Sequence, residues 1–300
     1  MSFLANSTPE RKKGIAFAMT DVLAMTGVYI ITKVFLKDLP FPVFGVYWFS
    51  AGLFWNILLS MVVKGTFQQF NFRRDYLGFL ILIGLIDMTA TLMWFRAINE
   101  TANPALVSFM TNISPVYALL LGFFFLKERM SVSEIAGILI TLTGAVLIGY
   151  RPDFELRSFL FTGAGLILVS SFISQAGKAL LKTRIKNYHA IVLSINRILF
   201  LLAFSIVFVN IEGYSVDIDS KTILFIGLGA MLGPLLSAYA GFNALARLKV
   251  ATYSILSTSR SFFVMIASFL VLNNMPDNIQ IIGGLLTVSG VILISAAKVK

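Results

Sequence analysis

Residues 104–148 read PALVSFMTNISPVYALLLGFFFLKERMSVSEIAGILITLTGAVLI. Two apolar runs flank the short charged break KERMS, and each is about long enough to cross a hydrocarbon core of roughly 30 Å as a helix. Backbone in lipid must satisfy its own hydrogen bonds, so the stretch reads as a transmembrane helical hairpin. The rest of the chain has the same character. Of its 300 residues 58% are hydrophobic and 13% charged, against about 25% charged in soluble domains. With no Cys and one His, disulfides, thiol chemistry and Cys/His metal clusters are excluded. Arg11, Lys12 and Lys13 precede an apolar run too long for a signal peptide's core, so that run reads as the first span.

Apolar runs bounded by charged or turn-forming residues predict ten spans. They lie near 14–36, 42–63, 76–98, 104–126, 132–149, 159–181, 189–210, 222–243, 250–272 and 279–297. With the N-terminus placed inside, 15 of the 24 Lys and Arg fall on inner segments and 4 on outer loops. That bias places both termini in the cytoplasm of a multi-pass protein in the cell (inner or plasma) membrane. It also accounts for the net charge of +10 without a nucleic-acid partner.

Residues 97–148 recur in 244–294. Ala97 matches Ala244 at an offset of 147, and Gly137 and Gly144 match Gly283 and Gly290 at 146. In the front halves, Gly14 and Lys33 fall on Gly163 and Lys182 at an offset of 149. The predicted fold is therefore an all-α integral membrane protein of ten transmembrane helices, built from two five-helix repeats at 14–149 and 159–297. Five is odd, so the second copy enters the membrane from the opposite face. The sequence follows that demand: KERMS is basic, while its counterpart NNMPDN has no Lys or Arg. Inverted repeats recur in secondary transporters, with substrate bound near the midplane between halves.

Asn112 and Pro115 (Asn-x-x-Pro), Phe125, Leu126 and Glu128 (Phe-Leu-x-Glu), Gly137 and Gly144 together resemble the EamA-type repeat of the drug/metabolite transporter superfamily. With the weaker second copy, the resemblance covers essentially the whole chain. It implies ten helices, cytoplasmic termini, and export or exchange of amino acids and other small metabolites. The second copy departs from the pattern, with Phe262 in place of the Pro and Asn274 in place of the Glu. A proline-based kink is accordingly expected in the fourth span and not in the ninth.

Intramembrane charges are costly and face a cavity or a partner. Arg260, in ILSTSRSFF, reads either as a cavity-facing ligand for an anionic group or as a structural partner of Asp21 or Asp87. Ser257 beside it offers a small hydroxyl. Asp21 and Asp87 read either as carriers of a coupling proton or as fixed counter-ions. Lys178 is a second cationic candidate, close enough to the inner end to snorkel. Trp94, Tyr239 and Tyr253 are candidate aromatic walls, and Asn112 is a polar candidate in the aligned segment of the first copy. Glu128, between Lys127 and Arg129, reads as a helix-end ion pair. GLGAMLG at 227–233 reads as close helix packing rather than a nucleotide loop.

A lone His189 excludes a His-based metal site or a Ser–His triad, and no P-loop or paired-aspartate diphosphate motif occurs. No cofactor or metal is expected. The expected function is secondary transport, with export the preferred direction, of amino acids or related metabolites by alternating access in the lipid bilayer. Alternatives are transport of a nucleotide-like cofactor such as S-adenosylmethionine, or a membrane enzyme or lipid-handling protein. The last class needs a reactive constellation that the sequence does not contain.

Overall fold

The computed structural model describes residues 9–63, 73–126, 131–149 and 163–296, and these contain helices and no strands. In chain order the helices are α1 (Pro9–Phe35), α2 (Phe41–Val62), α3 (Arg74–Glu100), α4 (Pro104–Met110), α5 (Ser114–Leu126), α6 (Val132–Gly149) and α7 (Gly163–Arg184). There follow α8 (Ala190–Glu212), α9 (Ser220–Gly229), α10 (Ala238–Arg247), α11 (Val250–Ser257), α12 (Arg260–Leu272) and α13 (Asn278–Ala296). Eight helical segments, counting α4–α5, α9–α10 and α11–α12 as continuous, are long and apolar enough to cross a membrane. The two remaining apolar stretches, Ile135–Ile148 and Asn278–Ile294, are shorter. Large side chains such as Leu270 and Ile292 are 73% and 62% exposed on the helices' outer faces. Lipid, not water, is the solvent such a surface fits. Limits read from charged breaks lie close to the observed ends: 42–63 against Phe41–Val62, and 132–149 against Val132–Gly149. Lys127, Glu128 and Arg129 lie outside the described residues.

The chain divides into two compact units, each drawing on both halves of the sequence. The first is Met1–Thr89 with Leu180–Leu248, and the second is Ala90–Ala179 with Lys249–Lys300.

In the first unit, α2 packs on α8, and α1 on α10 and the segment before it. That segment, Met231–Ser237, is a π-helix around Pro234. Pro234 has no N–H, so the Ala230 carbonyl is taken instead by Leu235 N at 3.4 Å, five residues on. The uninterrupted span expected over 222–243 is thus replaced by a bulged one. The glycines read as packing residues do pack: a Cβ on Gly229 or Gly233 would sit 3.0 or 2.8 Å from the ring of Trp48, which is 1% exposed.

In the second unit, α6 and α13 cross at backbone contact. A Cβ on Gly144 would lie 2.5 Å from the Gly283 carbonyl oxygen, and one on Gly137 2.7 Å from that of Gly290. Only glycine allows that approach. Beside this crossing, Ile113, Val116, Ile138 and Ile294 form an apolar cluster.

The second unit also corrects one expectation. The fourth span breaks, as anticipated, with a 3₁₀ turn at Thr111–Ile113 between α4 and α5. The ninth, expected to run straight without a proline, breaks as well. Thr258 and Ser259 separate α11 from α12, and the backbone there makes i→i−3 bonds, Thr258 N to Ile255 O at 3.1 Å and Ser261 N to Thr258 O at 3.2 Å. The cause is a set of hydroxyls. Thr258 Oγ1 donates to Ile255 O at 2.7 Å and Ser259 Oγ to Leu256 O at 2.8 Å. Such back-bonding draws carbonyls out of the α-helical ladder and tightens the turn. In the first copy Thr111 Oγ1 makes the same bond, to Ser108 O at 2.7 Å. Thr111 and Thr258 are related by the repeat offset of 147. Proline is not required for the break.

Candidate substrate site

Six of the sequence candidates, Arg260, Asn112, Trp94, Lys178, Tyr253 and Ser257, lie in the second unit, and Tyr239, Asp21 and Asp87 lie in the first. In the second unit the broken α11–α12 segment carries most of the chemistry. Arg260 is the first residue of α12, half-buried, one turn beyond Ser257. Ser257 is half-buried and donates to its own helix at Tyr253 O, 2.9 Å away. Tyr253 is 7% exposed, and the Lys178 ammonium lies over its ring, 5.3 Å from the centroid. At that distance the ring quadrupole stabilises a cation. Trp94, half-buried on α3, meets Phe95 edge-on at 5.0 Å.

Asn112 is held by side chains of two other helices. It is 1% exposed, its carbonyl oxygen accepts from Ser261 Oγ at 3.0 Å, and its amide donates to Thr287 Oγ1 at 3.3 Å. The same hydroxyl lies 2.9 Å from Ser108 O, so its one proton is shared between the two oxygens. These bonds tie the break between α4 and α5 to that between α11 and α12, and to α13. Farther along the same helix pair, Asn103 caps α4 through Ala105 N at 2.8 Å, accepts from Ser268 Oγ at 3.1 Å and donates to Asn274 O at 3.1 Å.

In the first unit the polar contacts gather on the π-helix. Asp21 is 2% exposed and accepts a 2.5 Å hydrogen bond from Ser237 Oγ. The Pro234 carbonyl accepts from Asn56 Nδ2 at 3.0 Å and from Ser194 Oγ at 2.8 Å. Tyr239, half-buried, meets Phe17 edge-on at 6.1 Å, and the Arg247 guanidinium lies 5.1 Å from the same Phe17 ring. Asp87 is half-buried on α3. A groove of about 900 Å³ in this unit is lined by Ile31, Phe35, Phe225 and Leu232 among other apolar residues. It has no group to orient a charged solute, and its walls suit acyl chains.

Between spans, His189 caps α8 by accepting from Ile191 N at 3.3 Å, and burial holds its pKa below the ordinary value. Asp219 caps α9, and its hydrogen bonds from Thr222 hold its carboxyl below the usual range. Both groups serve as helix caps. Among the described residues no three His, Cys, Asp or Glu side chains gather as metal ligands.

The profile of the EamA-like transporter family matches residues 12–150 and again 161–296. The chain belongs to the EamA-like transporter family. A probable terminal-alkyne amino-acid exporter of Streptantibioticus cattleyicolor is 25% identical to this EamA-like chain over 233 residues, 74% of each protein. An uncharacterized transporter of Methanothermobacter thermautotrophicus is 26% identical over 119 residues; the match covers 39% of this chain and about a third, 34%, of that relative's length. A solved crystal structure shares the fold with a TM-score of 0.69 at 17% identity, over 94% of this chain and 96% of its own. As an EamA-like protein with apolar helices long enough to cross a membrane, the chain is a multi-pass membrane transporter of small molecules and not an enzyme.

Two parts of this arrangement escaped the sequence reading. Ser237, the Asp21 partner, lies within LGPLLS, where the Pro inside a span was the available signal for an irregular helix. Gln175, in SQAGKALLK, was passed over beside the more conspicuous Lys178. It is 1% exposed, and its carbonyl oxygen accepts from Ser254 Oγ at 3.0 Å.

Proposed function

We propose that this EamA-like transporter exports amino acids or related small metabolites across the cell membrane by alternating access, with both termini cytoplasmic. In this reading ten spans form two inverted five-helix repeats, 14–149 and 159–297. Arg260, assisted by Lys178, holds the solute's carboxylate through charge-assisted hydrogen bonds. Trp94 and Tyr253 flank its side chain, Ser257 adds a hydroxyl, and Asn112 fixes the position of the broken helices. Asp21 or Asp87 carries a coupling proton.

The observation that carries the reading is the crosswise pairing of equivalent residues. Gly137 and Gly283 are repeat partners, as are Gly144 and Gly290, yet Gly137 meets Gly290 and Gly144 meets Gly283. Crosswise contact is what a two-fold axis relating antiparallel helices produces. The pattern recurs in the first unit, where Gly45 meets Ser205 while their repeat partners, Ser194 and Asn56, share the Pro234 carbonyl. Two mirrored copies, each with a helix broken at the aligned Thr, provide the two equivalent gates that alternating access needs. The relative from Streptantibioticus cattleyicolor, named a probable amino-acid exporter, supports the substrate class.

The test is counterflow in proteoliposomes loaded with single L-amino acids, with S-adenosylmethionine as the competing solute class. Accumulation of at least one labelled amino acid is expected. Counterflow of S-adenosylmethionine alone, or of no solute, contradicts the proposal.

A further inference from the structure

In the first unit, α10 is a rod of 10 residues with an irregular joint at each end. At its start, the π-helix carries Ala238 N to the Gly233 carbonyl, five residues back. The Pro234 carbonyl, which Ala238 N would take in a regular α-helix, is held from outside instead, by Asn56 and Ser194. Asn56 Nδ2 also donates to Gly52 O at 2.8 Å, which fixes the orientation of the amide. Asn56 is 0% exposed, and among the described residues its carbonyl oxygen has no hydrogen-bond partner. The joint therefore leaves a buried acceptor unsatisfied, a cost that an unbroken helix packed on apolar side chains would not carry. At the other end, Leu248 (φ −112°, ψ 157°) and Lys249 (φ −66°, ψ 149°) are extended. Hinges are built from a few element-terminal residues of this kind.

The last carbonyls of a helix have no partner within it. In α10, Ala244 O is taken by Leu248 N at 2.8 Å. Leu245 O and Ala246 O are taken from another helix: Lys182 Nζ, in the last turn of α7, donates to Leu245 O and, at 3.2 Å, to Ala246 O. A cation at the negative end of a helix dipole is favourable. Lys182 is half-buried, and among the described residues it pairs with no carboxylate. The start of α1 reaches the same place. A Cβ on Gly14 would lie 2.9 Å from Arg247 Cβ and 2.9 Å from Leu248 Cγ. Glu10 pairs with Arg247 at 3.2 Å, but its side chain is 63% exposed, and such a pair contributes little. The Lys182 bond is thus the firmest tie on the free end of α10.

We propose that Lys182 is a positioning residue of the transport cycle, whose ammonium latches the free end of α10 and closes the inner side of the first unit. That side opens when the bond parts and α10 turns about the π-helix at Pro234. The inference rests on the alternating-access reading above and adds a contact that the cycle must break. Lys182 acts on the position of a helix and needs no contact with the solute. The latch is reversible because it lies at a membrane face. Water there takes both the ammonium and the freed carbonyls, so parting leaves no buried group unpaired. The first copy carries the counterpart. Lys33, the repeat partner of Lys182 at an offset of 149, also lies in the last turn of its helix, at the outer end in the proposed topology.

The chain contains no Cys, so a single introduced Cys is the sole reporter of accessibility. Leu248→Cys marks the end of α10, where Leu248 is 3% exposed. Ile226→Cys marks α9 on the other side of the hinge, where Ile226 is 0% exposed. Each is made in the full chain and labelled with a membrane-impermeant maleimide in inside-out and right-side-out membrane vesicles. With Lys182 intact, both positions are expected to label slowly. Lys182→Met is expected to speed labelling at Leu248→Cys about tenfold or more from the inner face, the population shift that follows loss of a charge-assisted hydrogen bond. Ile226→Cys is expected to stay slow in the same background. Lys182→Arg keeps a charged donor and is expected to stay near the parent rate. An unchanged rate at Leu248→Cys in Lys182→Met overturns the latch, and so does equal acceleration by Lys182→Arg. Faster labelling at both reporters marks a cap that stabilises the whole fold, and also overturns it. Acceleration from the outer face alone overturns the placement at the inner side. Labelling needs no solute, so the latch is judged even where counterflow of amino acids fails.

Discussion

The broken helices α4–α5 and α11–α12 occupy aligned places in the two halves of the chain, yet they carry different loads. Both give way at a Thr whose hydroxyl binds the carbonyl three residues earlier, at 2.7 Å in each. Only the first has a proline just beyond the break, at Pro115, and only the first has a side-chain cap, from Asn103; Lys249 supplies none to α11. In the first copy the polar group beside the break, Asn112, is buried and committed to Ser261 and Thr287. In the second, Ser257 and Arg260 are half-buried. The break is therefore a shared device of backbone geometry, and the chemistry attached to it has diverged. One copy buries a neutral amide beside the break, and the other places a half-buried guanidinium there.

That contrast can be broken at several points. The largest effect is expected at Asn112. Asn112→Ala deletes two buried hydrogen bonds, to Ser261 and Thr287, and is expected to cost about 2 kcal/mol at roughly 1 kcal/mol each. It should appear as a lower Tm of the detergent-solubilised protein. A variant with wild-type Tm but weakened solute binding would instead make Asn112 a ligand and the two copies more alike.

A smaller effect is expected from Thr111→Val and Thr258→Val. Each removes one hydroxyl-to-carbonyl bond, about 0.5–1 kcal/mol in a membrane protein. The two losses should be similar in size, because the bonds are equivalent. A loss confined to Thr111→Val would mean that the break in the ninth span has another cause.

The smallest concerns the α8 cap, in the first unit. Burial lowers the pKa of His189, so the folded state favours neutral imidazole. Its contribution to stability is therefore complete above the ordinary value of 6.5 and is lost as pH falls through that value toward the folded pKa. His189→Asn keeps a capping acceptor without titrating in that range, and should flatten the decline of Tm between about pH 7 and pH 5. An unchanged decline would assign it to other groups.

Much of this arrangement was readable from residues alone. Apolar runs bounded by KDLPFP, NETANP or ARLK mark helix ends because lipid tolerates neither charge nor unpaired backbone, and Gly137, Gly144, Gly283 and Gly290 marked the repeat, while their backbone contact emerges only in the fold. The break at Thr258 was not readable as such. A hydroxyl bonded to its own helix leaves no periodic trace, and the missing proline pointed the other way. Pro234 did signal an irregular helix, but the neighbouring glycines drew attention to packing. Asn112 stood out through its conspicuous motif, and only the folded chain shows that Ser261 and Thr287 engage its amide. Gln175 drew no notice as an uncharged side chain, and its burial and its bond to Ser254 are visible only in the fold.

The central claim is that the second copy's break presents a cation to the solute's carboxylate. The most direct test is equilibrium binding of the best-transported L-amino acid to purified wild type and to Arg260→Gln, with Tm recorded for both. The account predicts a fall in affinity of about tenfold or more in a variant that still folds, from loss of a charge-assisted hydrogen bond. Undiminished affinity in a folded Arg260→Gln protein would contradict it.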